Sequence, residues 1–142
     1  LKEKMKCICL GARTGQEVIT LQNFNLEAIG IDIVPHKPYV IIGDIHNIPF
    51  DKNTFDFAFT NVFDHSIYPK KFIEEIERVL KPNGYVLMQL QLNVVSDEYA
   101  ENDIYNPNDV IKLFSNCTCV VNRSVPFTSM GMNWEILMKM NY

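Results

Sequence analysis

Two glycines near the start of the chain, Gly11 and Gly15, have the spacing of a loop that binds a nucleotide-like ligand. The apolar run Cys7–Leu10 before them has the length of a strand, and Glu17–Asn23 after them begins a helical pattern. A strand that passes through glycines into a helix collects free backbone N–H groups and the positive end of the helix dipole. Glycine also lets a ligand approach the main chain closely. The pattern therefore predicts a ligand site at the end of the first strand.

The glycine spacing bears on the class of ligand. A dinucleotide fingerprint would read G-x-G-x-x-G. Here Arg13 lies between the two glycines, and Gln16 occupies the place of the last dinucleotide glycine. A nicotinamide-dependent oxidoreductase is therefore the third of three functional hypotheses, because only the strand–glycine–helix order favours it. The G-x-x-x-G spacing fits a G-x-G-x-G loop better.

Composition sets further bounds on the function. The chain has 142 residues, of which 47% are hydrophobic and 21% charged, so it can form one domain with a substantial core. The net charge of −4 and the scattered basic residues argue against duplex nucleic acid or an acidic membrane as the main partner. No apolar stretch approaches membrane-spanning length, and no signal peptide is visible, so a cytoplasmic location is expected. The first residue is Leu1, which leaves open a preceding N-terminal cap segment.

The four cysteines form two C-x-C pairs, Cys7/Cys9 and Cys117/Cys119. A four-cysteine zinc site is one interpretation of this pattern. Cysteines on one face of each of two strands are the favoured alternative, since alternate strand residues point the same way. We expect the first pair on a central strand, the second near a sheet edge, and no metal site.

The apolar runs predict an α/β fold. Most runs are continuous and do not alternate with polar residues, which is typical of parallel strands covered on both faces. The predicted strands are Cys7–Leu10, Ala28–Ile33, Tyr39–Ile42, Phe55–Thr60, Tyr85–Leu92, Cys119–Val125 and Trp134–Met140. The predicted helices are Thr14–Asn23, Pro69–Lys81 and one capped by Asn106-Pro107 that carries Val110, Ile111 and Phe114.

The helix from Pro69 has the clearest pattern. Its apolar stripe faces the core, and its wet face offers the i,i+4 pairs Glu74–Arg78 and Glu77–Lys81 in the favourable order. The sequence Lys81-Pro-Asn-Gly84 should end it.

A series of motifs in order resembles the class I S-adenosylmethionine-dependent methyltransferase domain called type 11. The series runs through the glycine loop, Gly30-Ile-Asp32, Gly43-Asp44-Ile-His-Asn-Ile-Pro-Phe50, Thr54-Phe-Asp56 and Arg78-Val-Leu-Lys-Pro-Asn-Gly84. The resemblance implies a single domain with a doubly wound, mostly parallel, seven-stranded Rossmann-like sheet. In that fold the last strand is antiparallel and lies between the fifth and sixth. It also implies methyl transfer from S-adenosylmethionine to an acceptor.

The resemblance also assigns residues to the cofactor. The loop residues Gly11, Ala12, Arg13 and Gly15 would hold it, Asp32 with Ile33 would meet the ribose, and Asp44 with Ile45 would meet the adenine. Asn61 follows the fourth strand, where the methyl group and acceptor should come together. Each acid has a structural alternative: Asp32 as an ordinary strand-end residue, and Asp44 as a cap of the turn at Asn47.

Two positions depart from the family pattern. An acidic residue usually stands two positions before the first glycine, where this chain has Cys9. The middle glycine of the loop is Arg13, whose side chain could fill the pocket or pair with the cofactor carboxylate. A binding module of the same fold, without catalysis, is therefore the alternative hypothesis.

The implied reaction is an in-line attack on the sulfonium methyl, for which alignment can supply most of the catalysis. A base is needed only where the acceptor stays protonated, and Asp64 and His65 are the reachable candidates. For His65, a loop residue bonded to the backbone is the favoured interpretation. His36 and His46 look isolated from any ligand pattern, and no serine–histidine–acid series is visible.

The sequence does not indicate the acceptor or the oligomeric state. In this family added segments usually choose the acceptor, which here would be Val94–Asn106 and Pro126–Met132 besides any N-terminal segment. The acids of the first segment could favour a cationic acceptor, but a solvated loop is the favoured interpretation.

Overall fold

A seven-stranded sheet with the order β3-β2-β1-β4-β5-β7-β6 forms the centre of the protein, seen in a computed structural model that describes residues 4–35, 38–92, 106–126 and 131–142. Strands β1 to β5 are parallel, and β7 runs antiparallel between β5 and β6. The strands are β1 (Lys6–Leu10), β2 (Glu27–Asp32), β3 (Val40–Ile42), β4 (Phe55–Thr60), β5 (Leu80–Leu90), β6 (Cys117–Ser124) and β7 (Trp134–Met140). This topology confirms the predicted doubly wound sheet and its inserted antiparallel strand.

In the described ranges, three helices and a short 3-10 turn accompany the sheet. They are α1 (Gln16–Asn23), the 3-10 turn (Phe63–His65), α2 (Pro69–Val79) and α3 (Asn108–Ile111). Helix α2 begins at Pro69 as predicted and buries its apolar stripe completely, with Phe72, Ile73 and Ile76 at 0% exposure. Helix α3 is a single turn, so Phe114 is buried beyond its end.

The predicted start of β5 was wrong. The strand begins at Leu80, which is paired with Phe55, and the next pair in register is Phe57 with Tyr85. The residues between Leu80 and Tyr85 therefore bulge opposite Asp56. A Cβ on Gly84 would lie 2.9 Å from the Lys81 carbonyl oxygen, so the bulge excludes a side chain there.

Both predicted i,i+4 ion pairs on α2 were also wrong. Arg78 bonds to Glu75 one turn earlier, with Nε 2.6 Å from Oε2. Glu77 accepts the backbone N–H groups of Ser115 and Asn116 across the fold. Arg78 therefore pairs with a different residue of its own helix, whereas Glu77 and Lys81 each bond a partner across the fold.

The cysteine pairs occupy different parts of the sheet. Cys7 and Cys9 lie on β1, four strands away from Cys117 and Cys119 on the edge strand β6, and all four thiols are free. They therefore cannot ligate one ion. Within the described ranges, no group of three His, Cys, Asp or Glu side chains could hold a metal.

Some sequence predictions concern residues that the structure does not describe. His36, residues 93–105 and residues 127–130 lie outside the described ranges, and they include most of the proposed acceptor segments. In the part that is described, no helix has the length and apolar character needed to cross a membrane.

Candidate functional site

The loop between β1 and α1 turns through three alternate residues with left-handed backbone. Gly11, Arg13 and Gly15 have φ angles of +71°, +50° and +84°. Glycine adopts this conformation freely, whereas a side chain there costs about 1 kcal/mol. The middle position thus has the conformation that suits glycine although it carries arginine, and the Arg13 side chain is exposed.

The end of β2 holds this loop in place. The N–H groups of Gly11 and Ala12 donate to the Ile31 carbonyl oxygen at 2.9 and 3.0 Å. The Arg13 N–H donates to Asp32 Oδ2 at 2.9 Å, and the Val34 N–H donates to Asp32 Oδ1 at 3.0 Å. The Asp32 carboxylate therefore fixes the loop. Each of its oxygens keeps a lone pair for a further donor, so the structural and ligand-binding interpretations are compatible.

Close packing joins the loop to the neighbouring elements. A Cβ on Gly11 would lie 2.6 Å from Val62 Cγ2, just beyond the carboxyl end of β4. A Cβ on Gly30 would lie 2.6 Å from the Cβ of Ala12. These glycines let the backbone come within contact distance of its neighbours. The loop is thereby wedged between β2 and the segment after β4, where Asn61 is half-buried.

Asp44 lies after β3 on the same edge of the sheet. The preceding Gly43 N–H donates to the Asp32 carbonyl oxygen at 3.0 Å, which brings the two acids' segments together. Asp44 Oδ1 accepts the His46 backbone N–H at 2.8 Å and His46 Nδ1 at 2.9 Å. The backbone bond is the main reason that the pKa of Asp44 is lowered, and it outweighs the opposite effect of burial.

The turn-capping alternative for Asp44 thus describes a real contact, yet it uses only one oxygen. Among the residues that the structure describes, no donor reaches Oδ2, and 58% of the side chain is exposed. Asp44 can therefore cap its turn and still accept a bond from a ligand. Ile45, next to it, is half-buried, and Ile33 after β2 is 71% exposed.

His46 is the site residue that sequence reasoning missed. Its Nε2 lies 2.7 Å from Ser66 Oγ, so Asp44, His46 and Ser66 form the serine–histidine–acid series that the sequence did not reveal. Ser66 is 0% exposed, which excludes its hydroxyl as a nucleophile toward a substrate. The Asp44-x-His46 spacing suits a local turn, but nothing in the sequence indicates the partner at position 66.

The two candidate bases lie in the 3-10 turn after β4. Asp64 is 8% exposed, whereas the His65 side chain is 42% exposed. His65 Nε2 is 3.8 Å from Asp64 Oδ1, too far for a hydrogen bond but close enough for a charged contact. Of the pair, His65 is the side chain that an acceptor could reach.

Cys9 fills space behind the loop. It is 1% exposed and packs with Ala12, Val18 and Val40 in a small apolar cluster. Burial, followed by the nearby Glu17 and Cys7 side chains, raises the pKa of Cys9 to about 12. The thiol is therefore neutral, and it cannot supply the charge that the family's acid carries at this position.

Comparisons with known proteins identify the family and the fold. The model of the type 11 methyltransferase domain matches residues 8–88, which is more than half of the chain. No curated protein matches significantly. Among solved structures, the chain is 15% identical to one from the complex of the Haloferax volcanii Trm112 methyltransferase activator with a methyltransferase. That match covers 100% of this chain and 85% of the other, with a TM-score of 0.82.

Two further structures share the fold. The [4+2]-cyclase SpnF is 14% identical, with coverage of 99% and 76% and a TM-score of 0.81. The 1,6-didemethyltoxoflavin-N1-methyltransferase of Burkholderia thailandensis, solved with 1,6-didemethyltoxoflavin and S-adenosylhomocysteine, is 13% identical. Its coverage is 99% and 72%, and its TM-score is 0.79. These identities show the fold alone, but the family match covers the glycine loop, both acids and the segment after β4. The chain belongs to the methyltransferase domain family.

Proposed function

We propose that the chain binds S-adenosylmethionine along the carboxyl ends of β1 to β4 and transfers its methyl group to an acceptor. The observation that carries this proposal is the Asp32 carboxylate, which fixes the loop through the Arg13 N–H while retaining acceptor capacity. The left-handed loop backbone and the acceptor capacity that Asp32 and Asp44 retain fit this cofactor.

Each predicted residue then has a role that its position supports. Asp32 would accept the ribose hydroxyls, and Asp44 Oδ2 would accept the adenine amino group. Ile33 and Ile45 offer apolar surface for the adenine ring, which suits the exposure of the first and the partial exposure of the second. The backbone of Gly11, Ala12, Arg13 and Gly15, with Asn61 opposite, would hold the amino acid end.

The cofactor supplies a methyl group bonded to a sulfonium sulfur. The sulfur leaves as a neutral thioether when the methyl group is transferred, so the leaving group is already good. The chain contributes position: the loop and Asp32 hold the donor, and the segment after β4 orients an acceptor in line with it. Where the acceptor arrives protonated, His65 is the side chain exposed enough to take the proton.

Calorimetric titration with S-adenosylmethionine and S-adenosylhomocysteine tests this function. We expect micromolar binding by the wild-type chain and a 10- to 100-fold loss in Asp32→Asn, because bonds to a charged acceptor contribute about 1.5–3 kcal/mol. Asp56→Asn is the matched control. Asp56 accepts the Lys6 N–H at 2.9 Å, at the start of β1 and so at the opposite end of the sheet. No binding by a folded wild-type chain, or equal losses in the two variants, would contradict the proposal.

A second candidate is a binding module of this fold that does not transfer methyl groups. The neutral, buried Cys9 favours it, because the charge expected at that position is missing. A [4+2]-cyclase among the similar structures supports the idea that this fold serves other roles. This candidate predicts a folded chain that shows no turnover of S-adenosylmethionine with any acceptor tried, in an assay that follows release of S-adenosylhomocysteine.

A further inference from the structure

A continuous hydrogen-bonded chain of side chains connects two separate segments at the edge of the site. Asp44 and His46 lie in the connection after β3, and Ser66 and Tyr68 lie in the connection after β4. His46 Nδ1 is 2.9 Å from Asp44 Oδ1, and Nε2 is 2.7 Å from Ser66 Oγ. The Tyr68 N–H also points at Nε2, at 3.4 Å.

These contacts fix both the tautomer and the orientation of the imidazole. Because Nε2 accepts the Tyr68 N–H, the ring proton lies on Nδ1 and is donated to Asp44. The ring is 16% exposed and meets the Tyr68 and Phe72 rings edge-on, with centroids 5.6 and 6.3 Å away. Rotation of the ring would break the bonds to both segments together.

The segment after β4 also contacts the glycine loop. Val62 lies against Gly11, as the 2.6 Å approach to a Cβ at that position shows. The same segment is therefore anchored to the loop at Val62 and to Asp44, through His46, at Ser66. A ligand that engages the loop and Asp44 would meet both anchors of the segment on which an acceptor would dock.

From this we propose that His46 is a positioning residue that couples adenine binding at Asp44 to the placement of residues 62–68, where the methyl acceptor docks. The inference rests on the proposed function. Ser66 is buried and its hydroxyl bonds His46, so the chain gives this hydroxyl a route to cofactor affinity, and a double variant with His46 tests that route.

Ser66→Ala tests the coupling with S-adenosylhomocysteine as the ligand. We expect affinity to fall about three- to tenfold, the size of one neutral hydrogen bond. His46→Asn, whose amide can still donate to Asp44, should show a similar loss. The double variant should lose no more than the larger single loss. Ser115→Ala is the control, because its hydroxyl bonds Glu77 away from the site, and it should leave affinity unchanged. Unchanged affinity in Ser66→Ala, or additive losses, would overturn the proposal.

Hydrogen exchange provides a readout that needs no ligand. Asp44→Ala should speed exchange of the amides of residues 62–68 in the free protein about three- to tenfold, and unchanged exchange there would overturn the coupling. In the wild-type chain S-adenosylhomocysteine should slow exchange of the same amides, and Ser66→Ala should weaken this protection. If the wild-type chain binds no S-adenosylhomocysteine, the proposed function is wrong. Amide exchange in the unliganded Asp44→Ala variant still supports or overturns the coupling between Asp44 and residues 62–68.

Discussion

Burial determines the chemistry of the cysteines at the scale of single residues. Desolvation is the largest cause that raises the pKa of Cys7 to about 11, and the nearby Asp56 charge adds to it. Burial likewise raises the pKa of Cys117 to about 12 and, with less effect, that of Cys119. Thiolate is the nucleophile in alkylation, so all four side chains should react more slowly than a free cysteine.

Iodoacetamide labelling of the native chain at pH 8 should therefore leave Cys7 and Cys9 unmodified. A thiol with a pKa of about 11 is thiolate in only about one molecule in a thousand at this pH, and both residues are at most 1% exposed. Mass spectrometry of the labelled peptides checks this. The urea-unfolded chain is the control, in which all four cysteines should react at a common rate. Rapid native labelling of Cys9 would show that the apolar cluster behind the loop opens readily.

Arg13 shows how a departure at one residue can leave an element unchanged. The loop keeps a left-handed conformation at this position, and the Arg13 N–H still reaches Asp32. The sequence shows that arginine replaces the middle glycine of the loop, but it could not show that this position still has a left-handed backbone conformation. The loop conformation depends on hydrogen bonds to Ile31 and Asp32 on the neighbouring strand β2. In the dinucleotide-binding pattern, too, an acid lies about 20 residues after the glycine loop.

Among the elements, the connection between β3 and β4 is fastened to α2 by one ion pair. Glu75 Oε1 accepts the Ile48 N–H at 2.8 Å. Arg78 bonds Glu75 and also donates to the Phe50 and Ile48 carbonyl oxygens, each at 2.8 Å. The buried carboxylate and the guanidinium thus satisfy backbone groups of a segment that forms neither helix nor sheet.

The Glu75 carboxylate should contribute a pH-dependent part of the stability. Burial raises its pKa, but the bonds from Arg78 and Ile48 and the charges of Arg78 and Lys71 outweigh this, so the pKa is lowered overall. A lowered carboxyl pKa stabilises the fold above the unfolded value of about 4.5 and loses that contribution as the pH falls through the folded value. Stability should therefore decline below about pH 4.5.

Glu75→Gln isolates this contribution. We expect the free energy of unfolding to fall by about 1–3 kcal/mol at pH 7, which is less than for a fully buried pair because Arg78 is 36% exposed. The stability of the variant should also decline less steeply toward low pH. Urea unfolding at pH 7 and pH 4 measures both effects. Glu74→Gln, on the exposed side of the same helix turn, should change stability by less than about 0.5 kcal/mol. Equal losses in the two variants would show that the ion pair does not fasten the connection.

Local patterns predicted the elements better than their partners. The stripe on α2 and the bounds of β4 and β7 follow from apolar runs that end at turn residues, and the structure confirms them. The carbonyl partners of Arg78 in the β3–β4 connection and the Ser66 partner of His46 lie on segments that the fold brings together, so spacing along one helix or loop could not indicate them. The ordered motifs located the loops of the site, but not the atoms already used within it, such as Asp44 Oδ1.

On the scale of the whole molecule, the strand order changes direction between β1 and β4, which creates a crevice at that edge of the sheet. The chain leaves β1 toward β2 and β3 on one side and then crosses to β4 and β5 on the other. The connections therefore diverge at the carboxyl ends of β1 and β4, which is where ligands bind in open α/β sheets. The parts of the candidate site all lie at this edge, namely the glycine loop, Asp32, Asp44 and the segment after β4.

Thermal unfolding should therefore report ligand binding at this crevice for the molecule as a whole. A ligand that binds only the folded chain, at 100 times its dissociation constant, stabilises it by about 2.7 kcal/mol, which raises the Tm of a domain of this size by roughly 10 °C. We expect this shift with S-adenosylhomocysteine and none with NAD⁺ at equal concentration. Asp32→Asn should lose most of the shift, and Asp56→Asn should keep it. Stabilisation by NAD⁺ alone would favour the nicotinamide hypothesis, because the strand–glycine–helix start is common to both classes of ligand and only their affinity separates them.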